Sequence, residues 1–291
     1  MLAAKTSSTV RFVRLPFIRG EDGRTMRSIV IIPTYNEWEN IGPVVGRLRA
    51  SVPDADVLIV DDGSPDGTGD LADALAATDA NVQVLHRAGK SGLGAAYRAG
   101  MTWALDAGYD AIVEMDADGS HQPEQLPRLL AVLRRPPGEA PGPGSAGADL
   151  VLGSRWVPGG GVVNWPAHRR LLSRGGSVYS RIALGVPARD VTGGYRAFTA
   201  DALRSVRLDD VESQGYCFQI DMLRRVHAAG LTVTEVPITF VEREHGASKM
   251  TGCIVAEAML RVTGWGIAGL PRRFRRRTVT PAEVTETAPQ A

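Results

Sequence analysis

The sequence predicts an α/β protein with a mainly parallel sheet covered by helices, and three observations carry that prediction. Short β-branched runs alternate with longer helical stretches from Ser28 onward. The runs SIVIIP (28–33) and DVLIVD (56–61) are apolar almost throughout, as strands buried on both faces must be. Polar and acidic clusters follow these runs, and ligands of open parallel sheets gather at the carboxyl ends of strands.

The elements follow in order. Residues 1–27 hold basic and apolar positions without an apolar core of signal-peptide length, and read as a flexible leader; Met26, just before the first strong strand, is an alternative start. An amphipathic helix over 40–51 separates the first two strands. NVQVL (81–85) and AIVEMD (111–116) are the next strands, with a Gly/Ala-rich helix over 92–106 between them. Helix resumes near Pro123, because proline lacks the N–H that a first helical turn would leave unpaired. RPPGEAPGPGSAG (135–147) is made almost entirely of breaker residues and reads as a surface loop before the strand ADLVLGS. A Gly-rich stretch (157–163), a helix over 169–184, a turn at TGGYR, a helix over 217–229 and the strand LTVTEVPITF complete the second half. Both halves are expected to share one sheet. With no internal repeat and no linker, one catalytic domain (28–249) is expected, followed by an amphipathic and polybasic segment (250–277) and a disordered tail (278–291).

Composition narrows the function. Basic and acidic residues nearly cancel, 33 against 32, so no overall field argues for a nucleic-acid partner. Cys217 and Cys253 follow no metal-ligand spacing and read as free thiols, in keeping with a reducing cytoplasm. No run reaches the roughly 18 uninterrupted apolar residues of a membrane span.

Chemistry concentrates where the strands end. In VEMDADGSHQPE (113–124) two aspartates, Asp116 and Asp118, stand one residue apart at the mouth of a strand. They can turn both carboxylates toward one hard cation, since Mg²⁺ or Mn²⁺ takes one or two carboxylates together with substrate phosphates. One aspartate could instead cap the helix after Pro123 while the other faces solvent. PTYNE (33–37) and VDDGSPDGT (60–68) close the two preceding strands with groups able to bond a base or ribose, although both are also good turn sequences. Three polar strand ends in succession are read as one pocket rim. KSGLGAAYRAG (90–100) lacks the spacing of a P-loop or dinucleotide fingerprint, so close helix packing is the reading for Gly92 and Gly94. His121, beside the aspartates, is read as a loop hydrogen-bonding residue.

PTYNE, DDGSPDGT, KSGLGAAYRAG, MDADGSHQPE, GSRWVPGGGVVNWP, RRLLSRG, DVTGGYRAF and EVPITFVEREHGASK together, in this order, resemble the polyprenol-phosphate (dolichol-phosphate) mannosyltransferases, inverting glycosyltransferases of the GT-A fold. The resemblance spans about residues 28–265, and GSRW with NWP, RRLLSRG and R-x-x-G-x-S-K are its most particular parts. It implies that Pro33, Tyr35, Glu37, Val60 and Asp62 hold the nucleotide, and that Asp116, Ala117, Asp118 and Ser120 handle metal and diphosphate, with Asp116 and Asp118 as ligands of Mg²⁺ or Mn²⁺. Relatives carry glutamine where this chain has Ser120, whose shorter hydroxyl calls for a bridging water. Arg155, Arg169 and Ser173 are implied to grip an acceptor phosphate, and Arg243 and Lys249 to close over the donor diphosphate, with Asp118, Arg155 and Arg243 in the catalytic roles. Arginine's planar fork suits such anions.

The implied reaction is transfer of mannose from GDP-mannose to a polyprenyl monophosphate. UDP-glucose as donor and a non-catalytic sugar-nucleotide scaffold are the alternatives. A phosphate monoester is ionised near neutral pH, so no Ser-His-Asp constellation is required. The lipid acceptor implies a peripheral protein on the cytoplasmic face of the cell membrane. Residues 250–270 are apolar at helical spacing (Ile254, Met259, Val262, Trp265), with Glu257 and Arg261 as an i,i+4 pair, and PRRFRRR adds five arginines that anionic lipids attract. An ordinary core helix followed by a basic tail is the competing reading. Some relatives carry transmembrane segments after the catalytic domain; here a separate integral membrane anchor protein is the alternative to direct docking.

Overall fold

The computed structural model describes residues 26–133, 147–211, 213, 216–243 and 252–275. Residues 1–25 of the leader, the expected loop over 135–147 apart from its last residue, Lys249 and the tail lie outside these.

A seven-stranded sheet forms the centre. β1 (Ser28–Thr34) pairs in parallel with β2 (Asp56–Asp61) on one side and β4 (Ala111–Glu114) on the other, while β3 (Val82–His86) adds to β2. β7 (Arg196–Thr199) runs antiparallel between β4 and β5 (Leu150–Ser154), and β8 (Val233–Pro237) closes the edge parallel to β5. The order is therefore β3-β2-β1-β4-β7-β5-β8, and both halves share the sheet as expected.

Period-two alternation explains why these strands sit in the middle. Ile29 and Ile31 enter the core on one face, Val30 and Ile32 that on the other, so β1 is fully buried from both sides. The helices α1 (Trp38–Ser51), α2 (Thr68–Thr78) and α4 (Leu126–Leu133) cover the second face. The first is covered by α3 (Leu93–Asp106), α6 (Ala200–Val206) and α7 (Tyr216–Ala228), with α5 (Ala167–Leu184) and α8 (Gly252–Arg275) crossing one another beyond it. Glycine makes that last crossing close: a Cβ on Gly266 would stand 2.7 Å from the Ala183 carbonyl oxygen. No helix among the described residues is long and apolar enough to cross a membrane.

Three predicted elements differ. β4 ends at Glu114 rather than Asp116, because the Asp116 N–H leaves the ladder to bond Nδ1 of His121 at 3.0 Å. LTVTEVPITF is two strands rather than one. Ile238 donates its N–H to Ser154 as the last tie to β5, and the chain then pairs as β9 (Thr239–Val241) with β6 (Gly161–Val163) in a separate two-stranded ribbon. The predicted turn at TGGYR runs directly into β7, the antiparallel strand that joins the two halves.

Candidate active site

The acidic turns after β1 and β2 divide their work. Asp61 is consumed by the turn, accepting the N–H groups of Gly63 and Ser64, both at 3.1 Å, and the Thr34 hydroxyl. Asp66 likewise accepts from Thr68 and Trp38, so turn chemistry accounts for that half of the motif. Asp62 instead meets a loop after β3, taking Nη1 of Arg87 on one oxygen and the Ser91 N–H on the other. Pro33 and Val60 lie side by side in the β1/β2 register, and Tyr35 carries Nζ of Lys90 4.1 Å from its ring centroid. Glu37 stands at the N-terminus of α1 and accepts from Nδ2 of Asn40 at 2.8 Å. The predicted nucleotide residues thus form one neighbourhood, to which Arg87 and Lys90 are additions.

Beyond β4 the two aspartates reach one cavity of about 580 Å³. Desolvation lifts the Asp116 carboxyl above its ordinary value; His121 opposes this, and the charge of Asp118 adds to it. Asp118 is held by Nη2 of Arg243 at 3.0 Å and accepts the Ser120 N–H on its other oxygen. Ala117 and Ser120 are buried, and the Ser120 carbonyl accepts the Val241 N–H, which ties this loop to β9. His121 is buried against Tyr195 and Phe240, and burial holds its pKa below the usual histidine value. Its Nδ1 accepts the Asp116 N–H, which is the loop-bonding role read from the sequence.

These carboxylates suit a hard divalent ion. Asp118 already draws a cationic group, and no cluster of three or more His, Cys, Asp or Glu surrounds a point among the described residues. Two carboxylates beside one cavity fit Mg²⁺ or Mn²⁺, which take one or two carboxylates together with other oxygen donors. Lys249 lies outside the described residues.

The opposite wall is basic and aromatic. Arg155, at the end of β5, is buried and clamped by Asp190: its Nε and Nη2 each reach a carboxylate oxygen at 2.7 Å, and Nη2 also donates to the Thr192 hydroxyl. Burial pulls the Asp190 pKa up, but the charge and hydrogen bonds of Arg155 outweigh it and leave it below the ordinary value. Arg169 sits over Trp165 and pairs with Glu242. Ser173 faces the same cavity, and its buried hydroxyl lacks a hydrogen-bond partner, as does Nε of Arg243. Asp190 and Glu242, the acidic partners of the two arginines, were not among the predicted residues; Asp190 lies in the DVTGGYRAF motif, and its acidic character beside a Gly-Gly turn was the available signal.

Arg155, Arg169, Ser173, Asp116, Asp118 and Arg243 thus share a single cavity. Farther from the carboxylates its walls turn apolar, with Leu171 and Tyr179 of α5 facing Met259 and Val262 of α8.

Comparison with known proteins places this arrangement. The model of the family described as "Glycosyl transferase family 2" matches residues 29–207. The chain belongs to glycosyl transferase family 2. Within it this glycosyltransferase stands among the polyprenol-phosphate mannosyltransferases. It is 58% identical over 243 residues to an undecaprenyl-phosphate mannosyltransferase of Micrococcus luteus, covering 84% of this chain and 95% of that one. It is 52% identical over 261 residues to a polyprenol monophosphomannose synthase of Mycolicibacterium smegmatis, covering 88% and 94%. Among solved structures the glycosyltransferase resembles glucosyl-3-phosphoglycerate synthase of Mycobacterium tuberculosis at a TM-score of 0.58 and 20% identity, over 82% of this chain and 80% of that one. The last likeness is one of fold, and it agrees with the GT-A architecture.

Proposed function

We propose that this glycosyltransferase transfers mannose from GDP-mannose to a polyprenyl monophosphate at a membrane surface, with inversion at the anomeric carbon. One observation supports this above others: a single cavity joins two carboxylates, a set of arginines and an apolar trough between α5 and α8. Such a cavity suits a diphosphate at one end and a lipid phosphate at the other.

In this reading an oxygen of the acceptor phosphate attacks the anomeric carbon, the bond from that carbon to the diphosphate breaks, and its electron pair leaves on GDP. The nucleophile is already an anion, so none of the chain's residues has to remove a proton. Asp62, Tyr35, Pro33, Val60 and Glu37 hold the nucleoside. Asp116 and Asp118 hold Mg²⁺ or Mn²⁺, which when bound supplies positive charge against the leaving diphosphate. Arg243 gives up Asp118 to face that diphosphate, with Lys249 beside it, and Ser120 supports the loop. Arg155, aimed by Asp190, meets the acceptor phosphate with Arg169 and Ser173. Arg155, fixed by Asp190 before reaction, orients the acceptor without having to move.

Exposed apolar side chains on α5 and α8 support docking on a membrane surface, which the reading places at the cytoplasmic face. Ile182 is 69% exposed, Leu260 75% and Ile267 63%, with Arg170 and Arg174 also exposed. Val262 and Trp265, counted in the apolar stripe of the sequence, instead pack into the domain, and Glu257 and Arg261 pair at 2.9 Å as expected.

Radiolabelled GDP-mannose and UDP-glucose, each incubated with polyprenyl phosphate and Mg²⁺ or Mn²⁺, test the reading. Mannolipid formed from GDP-mannose and lost with Asp118→Ala is the expected result. Glucolipid alone would move the assignment to UDP-glucose, and nucleotide binding without turnover would make the protein a scaffold.

A further inference from the structure

The motif KSGLGAAYRAG forms the start of α3, a helix with no residue on the wall of the cavity, yet one of its side chains touches the metal site from behind. Tyr97 is fully buried, and its hydroxyl donates to Oδ1 of Asp116 at 3.0 Å. Its ring lies parallel to that of Phe218 on α7, at 6.0 Å between centroids and 7° between planes. Burial and the stack on Phe218 hold the ring, and Asp116 accepts the hydroxyl.

Two glycines bring it there. Gly94 and Gly100 lie three residues to either side of Tyr97 and share its helix face. A Cβ on Gly94 would stand 2.8 Å from the Ser213 carbonyl oxygen and 3.0 Å from the Phe218 ring. One on Gly100 would stand 2.7 Å from Ile31. A larger residue at Gly94 would push α3 away from α7 and one at Gly100 would lift it off the sheet, and either would withdraw the hydroxyl from Asp116.

The remaining contacts hold Asp116 at its backbone and at Oδ1, while His121 Nδ1 stands 3.9 Å from Oδ2. Its N–H is taken by His121, and Oδ1 by Tyr97. Oδ2 faces Gly194, where a Cβ would come within 3.5 Å, so the absence of a side chain keeps that oxygen open to the cavity.

We propose that Tyr97 is a positioning residue of the metal site: its hydroxyl fixes the Asp116 carboxylate so that Oδ2 is presented to the divalent ion. The inference rests on the metal reading given above. Partners that orient a ligating carboxylate change metal affinity by roughly 10–100-fold when removed.

Mn²⁺ binding to the intact protein, followed by the electron paramagnetic resonance of free Mn²⁺, is the test. Wild type, Asp116→Ala and Tyr97→Phe are titrated with GDP present, each first shown to melt cooperatively. Tyr97→Phe keeps the ring and its stack on Phe218, and is expected to weaken Mn²⁺ about tenfold or more. In turnover it is expected to raise the Mn²⁺ concentration needed for half-maximal rate by a similar factor, with kcat at saturating metal within about threefold of wild type. Wild-type affinity in Tyr97→Phe overturns the proposal while leaving the metal reading intact. No Mn²⁺ binding to wild type, or binding unchanged by Asp116→Ala, overturns the metal reading and the proposal with it. Should Tyr97→Phe lack a cooperative melt, Phe218→Leu takes its place: it keeps the phenol and removes its support. It must weaken Mn²⁺ at least threefold, and an unchanged affinity overturns the proposal.

Discussion

Replacing Asp190 with asparagine asks how firmly the clamp on Arg155 holds. Three donors of Arg155, its backbone N–H, Nε and Nη2, end on the two Asp190 oxygens at 2.9, 2.7 and 2.7 Å. Asp190 is completely buried and Arg155 nearly so. Asparagine preserves the shape but turns one acceptor into a donor aimed at the guanidinium, leaving a buried cation without its counter-charge. Breaking a buried pair in this way costs about 3–5 kcal/mol. Urea unfolding at pH 7 is expected to show that loss, and the melting temperature is expected to fall by about 6–20 °C. The pH dependence has a definite sign. The Asp190 pKa is depressed in the folded protein, so its contribution is complete above the unfolded value of about 3.9 and disappears as pH falls through the lower folded value. The gap between wild type and variant is therefore expected to be constant from pH 5 to 7 and to narrow below about pH 4. A loss under 1 kcal/mol at pH 7, or a gap that widens toward acid, refutes the clamp.

Arg243→Gln removes the cation from Asp118 and is expected to tighten Mn²⁺ binding to the nucleotide-free protein by calorimetry, yet to lower kcat at saturating substrates by about 100-fold or more. Gly94→Ala forces a Cβ against the Ser213 carbonyl and Phe218, and is expected to cost about 1–3 kcal/mol in urea unfolding. Ile182→Ser combined with Leu260→Ser strips two exposed apolar side chains outside the cavity. Sedimentation with anionic vesicles is expected to fall at least tenfold, since burying each such side chain is worth about 1.5–3 kcal/mol; unchanged sedimentation would point to a separate membrane anchor.

Much of the fold was legible because it depends on local pattern. Strands with one sustained apolar run, such as SIVIIP and DVLIVD, appear where they were predicted and carry their polar residues at the expected ends. What escaped depends on contacts distant in sequence. RAFT at 196–199 is too short to announce a strand, and becomes one because β4 and β5 each offer it an unpaired edge. The break inside LTVTEVPITF is set by Ser154, some eighty residues away, which holds Ile238 and ends the ladder. In the site, the arginines and aspartates were visible as motifs. Their partners were not, since Asp190, Glu242 and Tyr97 matter only through the residues they face. KSGLGAAYRAG shows both sides: Gly94 packs closely as read, Gly92 instead serves a positive φ of 92° just before α3, and what the packing delivers to Asp116 requires the third dimension.

Three adjacent residues beyond Ile238 each grip a different wall. Val241 bonds the loop that follows the aspartates, Glu242 holds Arg169 on α5, and Arg243 holds Asp118. The segment that ends β9 therefore works as a crossbar between the loop of the two aspartates and helix α5. An Arg243 turned away from Asp118 would leave Val241 and Glu242 still anchored, so this segment keeps its place on two walls when the third contact opens.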